Sequence, residues 1–134
     1  MGGTNTKLVV LALGANVDAE DNISKALKLL QLHLASMHHS TPIWTLPIGI
    51  QSDNFLNCVV MGQYDKDYEE LRKLTKKIEQ DCGNTLEKRR SGKIAMDIDI
   101  LLYNKKKYHP QDWKRQYIIE GIEKLSPITI KKKQ

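Results

Sequence analysis

Two aspartates inside an alternating stretch limit what this chain can fold into. Residues 95–103 read Ala-Met-Asp-Ile-Asp-Ile-Leu-Leu-Tyr. Met96, Ile98 and Ile100 alternate with Asp97 and Asp99, a period of two that predicts a β-strand. Side chains two apart on a strand share a face, so the carboxylates stand about 7 Å apart on one side. The apolar side must then be covered by another layer. Neighbouring carboxylates repel unless solvent or cations compensate. Mg²⁺ does this well, because it takes one or two carboxylates and keeps its other positions for water and phosphate oxygens. An edge strand with one wet face satisfies the same spacing, and Asp-x-Asp alone does not separate the two readings.

The rest of the chain supplies the covering layer. Residues 7–13 form an apolar run ending at Gly14, expected as a buried strand. Asp21 or Asn22 is placed to cap a helix that carries Ile23, Ala26, Leu27, Leu30 and Leu34 at helical spacing. A second strand is expected over 37–44, then a loop over 45–53 broken by Pro47 and Gly49. Residues 55–63 alternate as a third strand. A second helix spans 67–82, with Leu71, Leu74, Ile78 and Cys82 inward and Gly83-Asn84 ending it. A basic loop over 87–93 leads into the acidic strand. Beyond Tyr103 the pattern weakens to a turn through His109-Pro110 and a short final element over 117–125. The order strand-helix-strand-strand-helix-strand predicts an α+β, ferredoxin-like βαββαβ sandwich, an antiparallel sheet with helices on one face. One domain is expected over 1–134, with 1–6 and 128–134 as flexible tails.

Composition narrows the function. No apolar run approaches a membrane span, and residues 1–6 lack the apolar stretch of a secretory signal. Cys58 and Cys82 sit in amphipathic contexts, so buried free thiols and a reducing cytoplasm are expected. The net charge of +5 suits an acidic partner. Lysine runs at 105–107 and 131–133 read as a solvated turn and tail. Lys88, Arg89, Arg90 and Lys93 differ, because they directly precede the acidic strand. They make no P-loop: Ile94 follows Gly92-Lys93 where Ser or Thr is needed, and Glu87 stands at the first glycine position. With aromatic residues at 6%, the base-stacking platform of an RNA-binding sandwich is poorly supplied. Phe55 and Asn57 share a strand face. Phe55 can cover a flat ring, or simply pack in the core. Asn57 offers donors and acceptors to a heterocycle edge, and inside an apolar strand it must find a partner or water.

Six stretches carry a family resemblance: Leu11-Ala12-Leu13-Gly14-Ala15-Asn16, Thr45-Leu46-Pro47-Ile48-Gly49, Asn54-Phe55-Leu56-Asn57, Ile78-Glu79, Lys88-Arg89 with Gly92, and Met96-Asp97-Ile98-Asp99-Ile100-Leu101. In order, spacing and context, the chain resembles the 6-hydroxymethyl-7,8-dihydropterin pyrophosphokinases over residues 9–127. The resemblance implies transfer of the β,γ-diphosphate of ATP to the pterin hydroxymethyl oxygen in folate biosynthesis, releasing AMP. It implies that Asp97 and Asp99 hold two Mg²⁺ on the triphosphate, with Asp99 near the attacking hydroxyl. Thr45, Ile48, Phe55 and Asn57 would face the pterin. The spacing His109-x5-Arg115-x-Tyr117 matches a later family pattern. It makes Tyr117 the second stacking aromatic and puts His109 and Arg115 near the ATP phosphates. Glu79, Arg89, Arg90 and Ile100 would lie on the ATP side. The implied partners are ATP and the pterin alone, with no nucleic acid or membrane, and a monomer is expected.

The chain departs from the family pattern just before the acidic strand. Where the family reads Gly-Pro-Arg-Thr, this sequence reads Gly92-Lys93-Ile94-Ala95. Ser91 replaces an aromatic residue, and Asn84 replaces an arginine. Lys93 and Arg90 are then the cations expected to act in catalysis, although an ammonium is a point charge and no bidentate fork. The loops 48–53 and 89–93 are expected to close over ATP. Two other readings stay open: a pterin- or nucleotide-binding relative without turnover, and a basic RNA-binding domain of the same fold.

Overall fold

The computed structural model describes residues 5–46 and 54–131, the last three by backbone alone. Ile48, the 48–53 loop, residues 1–4 and residues 132–134 lie outside the described residues. The strands are β1 (Lys7–Ala15), β2 (Ala35–His39), β3 (Ile43–Thr45), β4 (Phe55–Tyr64), β5 (Asp97–Tyr103) and β6 (Lys106–Lys107). The helices are α1 (Ala19–Gln31), α2 (Tyr68–Asp81), α3 (Leu86–Arg90) and α4 (Gln116–Lys131). The sheet runs β2-β4-β1-β5-β6, with β3 also on β4, and each pairing is antiparallel. This is the expected α+β sandwich.

β1 is central because both of its faces are apolar: Val9 through Leu13 are all buried. Val9, Leu11, Leu13 and Ala15 point to a layer filled by Ile23, Ala26 and Leu30 of α1 and by Leu71 and Ile78 of α2. Val10 and Ala12 point the other way, against Ile118 and Leu125 of α4. The expectation of helices on one face holds for α1 and α2 and is corrected by α4, which packs on β4 and β2 from the opposite side. At Gly121 the helix comes so close that an added Cβ would lie 2.8 Å from Val59 Cγ2.

Several boundaries differ from the sequence reading. α1 starts earlier than Asp21 or Asn22, at Ala19. Its N-cap Asp18 has φ 44° and makes no side-chain cap bond, while Asn22 Nδ2 donates instead to the Val17 carbonyl at 2.8 Å. The strand expected over 37–44 is two strands, because Pro42 between them has no N–H to give a ladder. Ser40 bridges the gap: its N–H donates to Val59 O and its hydroxyl accepts from Val59 N, both at 2.9 Å. The basic loop begins as α3, capped by the Thr85 hydroxyl accepting from Lys88 N at 3.1 Å. α4 runs on through Pro127 to Lys131, where a tail was expected. Pro127 cannot donate to the Glu123 carbonyl, and Glu123 lies on an exposed part of the helix, where water can take the missing partner's place. By contrast α2 starts and ends as read, with Asp67 accepting from Glu70 N at 2.9 Å. Cys58 and Cys82 are buried free thiols, as expected.

Candidate active site

Strand register assembles the site on the α4 side of the sheet. On β1, Gly14 stands between Asn57 of β4 and Asp97 of β5, and Ala12 stands between Val59 and Asp99. These small residues make a floor with Asn57 at one wall and the two aspartates at the other. A Cβ on Gly14 would come within 3.3 Å of Asn57 Oδ1, so glycine keeps the space between the walls open. The chain after β6 closes the third side. The resulting cleft of about 180 Å³ is lined by Phe55, Asn57, Asp97 and Asp99, with Arg115 and Tyr117 from the later segment.

Asp97 and Asp99 share this face as the alternation requires, while Ile98 and Ile100 are buried under α1 and α2. Burial raises the Asp99 carboxyl to about 6, and the charges of Asp97, Asp112 and Glu79 add to that, opposed by His109. His109 Nε2 stands 3.9 Å from Asp99 Oδ1. Arg89 of α3 reaches Asp97 Oδ1 at 3.5 Å. Glu79 works from behind the strand. Its Oε2 accepts the Ile98 N–H at 2.7 Å, which fixes the backbone between the two aspartates. Burial raises the Glu79 carboxyl, and that same hydrogen bond opposes the rise.

At the other wall, Asn57 Nδ2 donates to Thr45 Oγ1 and, at 3.2 Å, to the Phe55 carbonyl. Both amide protons are thus engaged, which orients the side chain beside Gly14. Tyr117 lies at the start of α4. Burial pushes its phenol up to about 12, against the opposing Arg115 guanidinium, which sits 4.7 Å from the ring centroid. Thr45 meets Asn57, and Phe55, Asn57 and Tyr117 line one cleft with Asp97, Asp99 and Arg115.

Other candidates lie elsewhere. Lys93 and Arg90 are exposed and line no part of the cleft. Ile94 is 8% exposed, so the position where the family pattern has arginine holds a buried apolar side chain. Ile100 has its side chain in the core on the opposite face from Asp99, so only its backbone is left for a ligand. Three contributors were missed. Asp112 and Leu46 line the cleft. Asn16 ties the end of β1 to the loop before β5, accepting from Ile94 N at 2.7 Å and donating to Gly92 O at 2.8 Å. A polar residue just after an apolar strand was the available signal for Asn16. Asp112 carried none beyond its place between His109 and Arg115.

The donor set suits a hard cation. Asp97 and Asp99 present carboxylate oxygens from one strand face into an open cleft, and a half-buried carboxyl crowded by other acids gains from a neighbouring positive charge. The set is a pair and not a cage: among the described residues no three His, Cys, Asp or Glu side chains are grouped to hold an ion.

Fold and cleft together define an antiparallel α+β sandwich with paired carboxylates facing an amide and two aromatic residues. Comparison with known proteins narrows this. The model of the family 7,8-dihydro-6-hydroxymethylpterin-pyrophosphokinase matches residues 10–127. A folate synthesis bifunctional protein of Arabidopsis thaliana is 32% identical, over 91% of this chain and 28% of its own length. A folic acid synthesis protein of Dictyostelium discoideum is 29% identical, over 90% and 20%. A 2-amino-4-hydroxy-6-hydroxymethyldihydropteridine pyrophosphokinase of Bacillus subtilis is 30% identical, over 88% and 77%. The chain thus spans less than a third of the first two relatives and most of the third. It belongs to the 7,8-dihydro-6-hydroxymethylpterin-pyrophosphokinase family.

Proposed function

We propose that this chain transfers diphosphate from ATP to the hydroxymethyl group of 6-hydroxymethyl-7,8-dihydropterin, releasing AMP, in folate biosynthesis. Beyond family membership, one observation carries the reading. Across the small floor of Gly14 and Ala12, Phe55 and Asn57 on β4 face Asp97 and Asp99 on β5, and Arg115 with Tyr117 closes the third side. In the reaction the hydroxymethyl oxygen forms a bond to the β-phosphorus of ATP and loses its proton to solvent. The bridging bond between the β-phosphorus and the α-phosphate oxygen breaks, and AMP leaves with that oxygen. Positioning and charge neutralisation carry most of such a transfer.

Each wall has its part. Asn57, its amide protons held by Thr45 and Phe55, offers Oδ1 as the acceptor for the heterocycle edge, and Phe55 and Tyr117 cover its faces. Arg115 and Arg89 supply positive charge to the phosphates, with His109 beside Asp99. Glu79 holds the strand that carries the aspartates. Asp97 and Asp99 would hold two Mg²⁺, and bound Mg²⁺ neutralises triphosphate charge. The protein acts as a monomer in the cytoplasm. Among the described residues no helix is long and apolar enough to cross a membrane. α4 covers Val59 and Met61 on the sheet face that an RNA-binding sandwich would need open, which favours small substrates over RNA.

The buried Ile94 favours a second reading, a relative that binds pterin without turning over. Asn57→Ala tests the assignment of the walls. Pterin affinity should fall about 100-fold, as expected when a site loses its hydrogen bonds to the ring edge, with ATP affinity within about twofold of wild type. Equal losses for both ligands would contradict the two-wall reading.

A further inference from the structure

The segment that brings His109, Asp112, Arg115 and Tyr117 to the cleft is irregular. His109 has φ 56°, and residues Asp112–Lys114 form one turn of 3₁₀ helix. Short hydrogen bonds within the segment, such as Arg115 N to Asp112 O at 3.1 Å, do not tie it to the sheet. Trp113 does. Its indole N–H donates to the Tyr108 carbonyl at 2.9 Å, and its ring packs on the layer of Val10, Ala12 and Leu101. The Lys107 ammonium sits over that ring, 4.6 Å from its centroid. Lys107 is fixed in turn by β6, where it pairs with Leu102. Tyr108 is anchored on both sides: its N–H donates to Leu101 O at 2.9 Å, and its ring stacks on Tyr68 of α2 at 4.8 Å.

We propose that Lys107 and Trp113 form a clamp that positions the 109–117 segment, and so sets Arg115 and Tyr117 against the cleft. Neither residue lines the cleft, so both are positioning residues. The lysine run at 105–107, which reads as a solvated turn, gains a role: a cation held over an indole face fixes the ring's orientation while its charge stays in water. The consequence for turnover rests on the functional reading above.

The test starts on ligand-free protein, where that reading plays no part. In Lys107→Met and Trp113→Phe, amide hydrogen exchange over residues 112–118 should rise about tenfold, with α1 and α2 unchanged. Lys107→Arg should restore protection. Calorimetry with Mg²⁺ and α,β-methylene-ATP should then show about fivefold weaker binding in the same two variants and near wild-type binding in Lys107→Arg. Unchanged exchange in both variants overturns the clamp. Faster exchange with unchanged affinity overturns its positioning role. If wild-type protein binds no analogue, the functional reading fails by itself, and the exchange data still decide whether the clamp holds the segment.

Discussion

The two faces of the central sheet use the same strands for different ends. Toward α1 and α2, inward residues of β1, β4 and β5 such as Leu11, Leu13, Val60 and Ile100 are buried in one apolar layer. Toward α4, only half of the face is closed. Val10, Val59, Met61 and Leu101 pack under the helix, and beyond them the same rows continue as Ala12, Asn57, Asp97 and Asp99 in an open cleft. One face therefore holds the fold together, and the other gives up core to expose polar groups at fixed spacing. Substitutions on the two faces should differ in what they break.

The largest contrast is between Asp99 and Leu11, which lie on neighbouring strands and point to opposite faces. Asp99→Ala should lower turnover about 10³-fold or more, the scale for losing a main electrostatic group, and leave the thermal transition at or above wild type. Leu11→Ala should cost about 2–5 kcal/mol of stability while the folded fraction keeps its substrate affinities. Denaturant unfolding and initial rates on both proteins check the pair. If Asp99→Ala unfolds the chain and keeps its rate when folded, the division between the faces is wrong.

Gly121→Ala comes next, at the seam where α4 meets β4. Its Cβ would press on Val59 Cγ2 and Cβ, at 2.8 and 3.0 Å. Val59 is β-branched on a paired strand and cannot turn aside. A loss of about 1–3 kcal/mol is expected, read by urea titration. A neutral result would mean that α4 rests on the sheet less closely.

The smallest effect has a distinctive pH dependence. Asp99 binds its proton more tightly folded, at about 6, than its ordinary value of 3.8. The folded state therefore gains stability as pH falls through about 6, and the gain is complete below 3.8. Above 6 the ionised group is a net cost. Asp99→Asn removes that cost, so the metal-free variant should be more stable than wild type at pH 8, and nearly equal to it at pH 3.5. The side chain is 36% exposed, and solvent screening reduces the gain to about 1 kcal/mol. Thermal melts across pH measure it. A gain largest in acid would contradict the sign.

The face under α1 and α2 was also the easier one to read. α2 carries an Asp67 cap, helical spacing and Gly83 at its end, and each local signal agrees with the packing. The Asp97/Asp99 alternation survives intact, because one register error would bury both charges. What escaped the sequence depends on contacts distant in the chain. α4 carries Pro127 and a blurred pattern, and takes its place from Val59 and Met61 on β4. α1 starts on a left-handed Asp18 whose side chain makes no cap bond, so the usual start signal does not apply there. The site was legible wherever two residues share a strand face, as Phe55 and Asn57 do. It was not legible in the turn carrying Asp112, where an irregular backbone decides which side chain faces the cleft. Lys93 looked catalytic from its place beside the acidic strand, yet Asn16 holds that loop with Ile94 buried and Lys93 outside.

AMP release tests the central claim most directly. Purified protein is mixed with ATP, Mg²⁺ and 6-hydroxymethyl-7,8-dihydropterin, and each is omitted in turn. AMP that appears only with all three present is the predicted result, and it would show that Arg89 and Arg115 supply enough positive charge without an arginine at position 94. No AMP from folded protein that still binds the pterin would contradict it, and would leave a binding protein on a pyrophosphokinase scaffold.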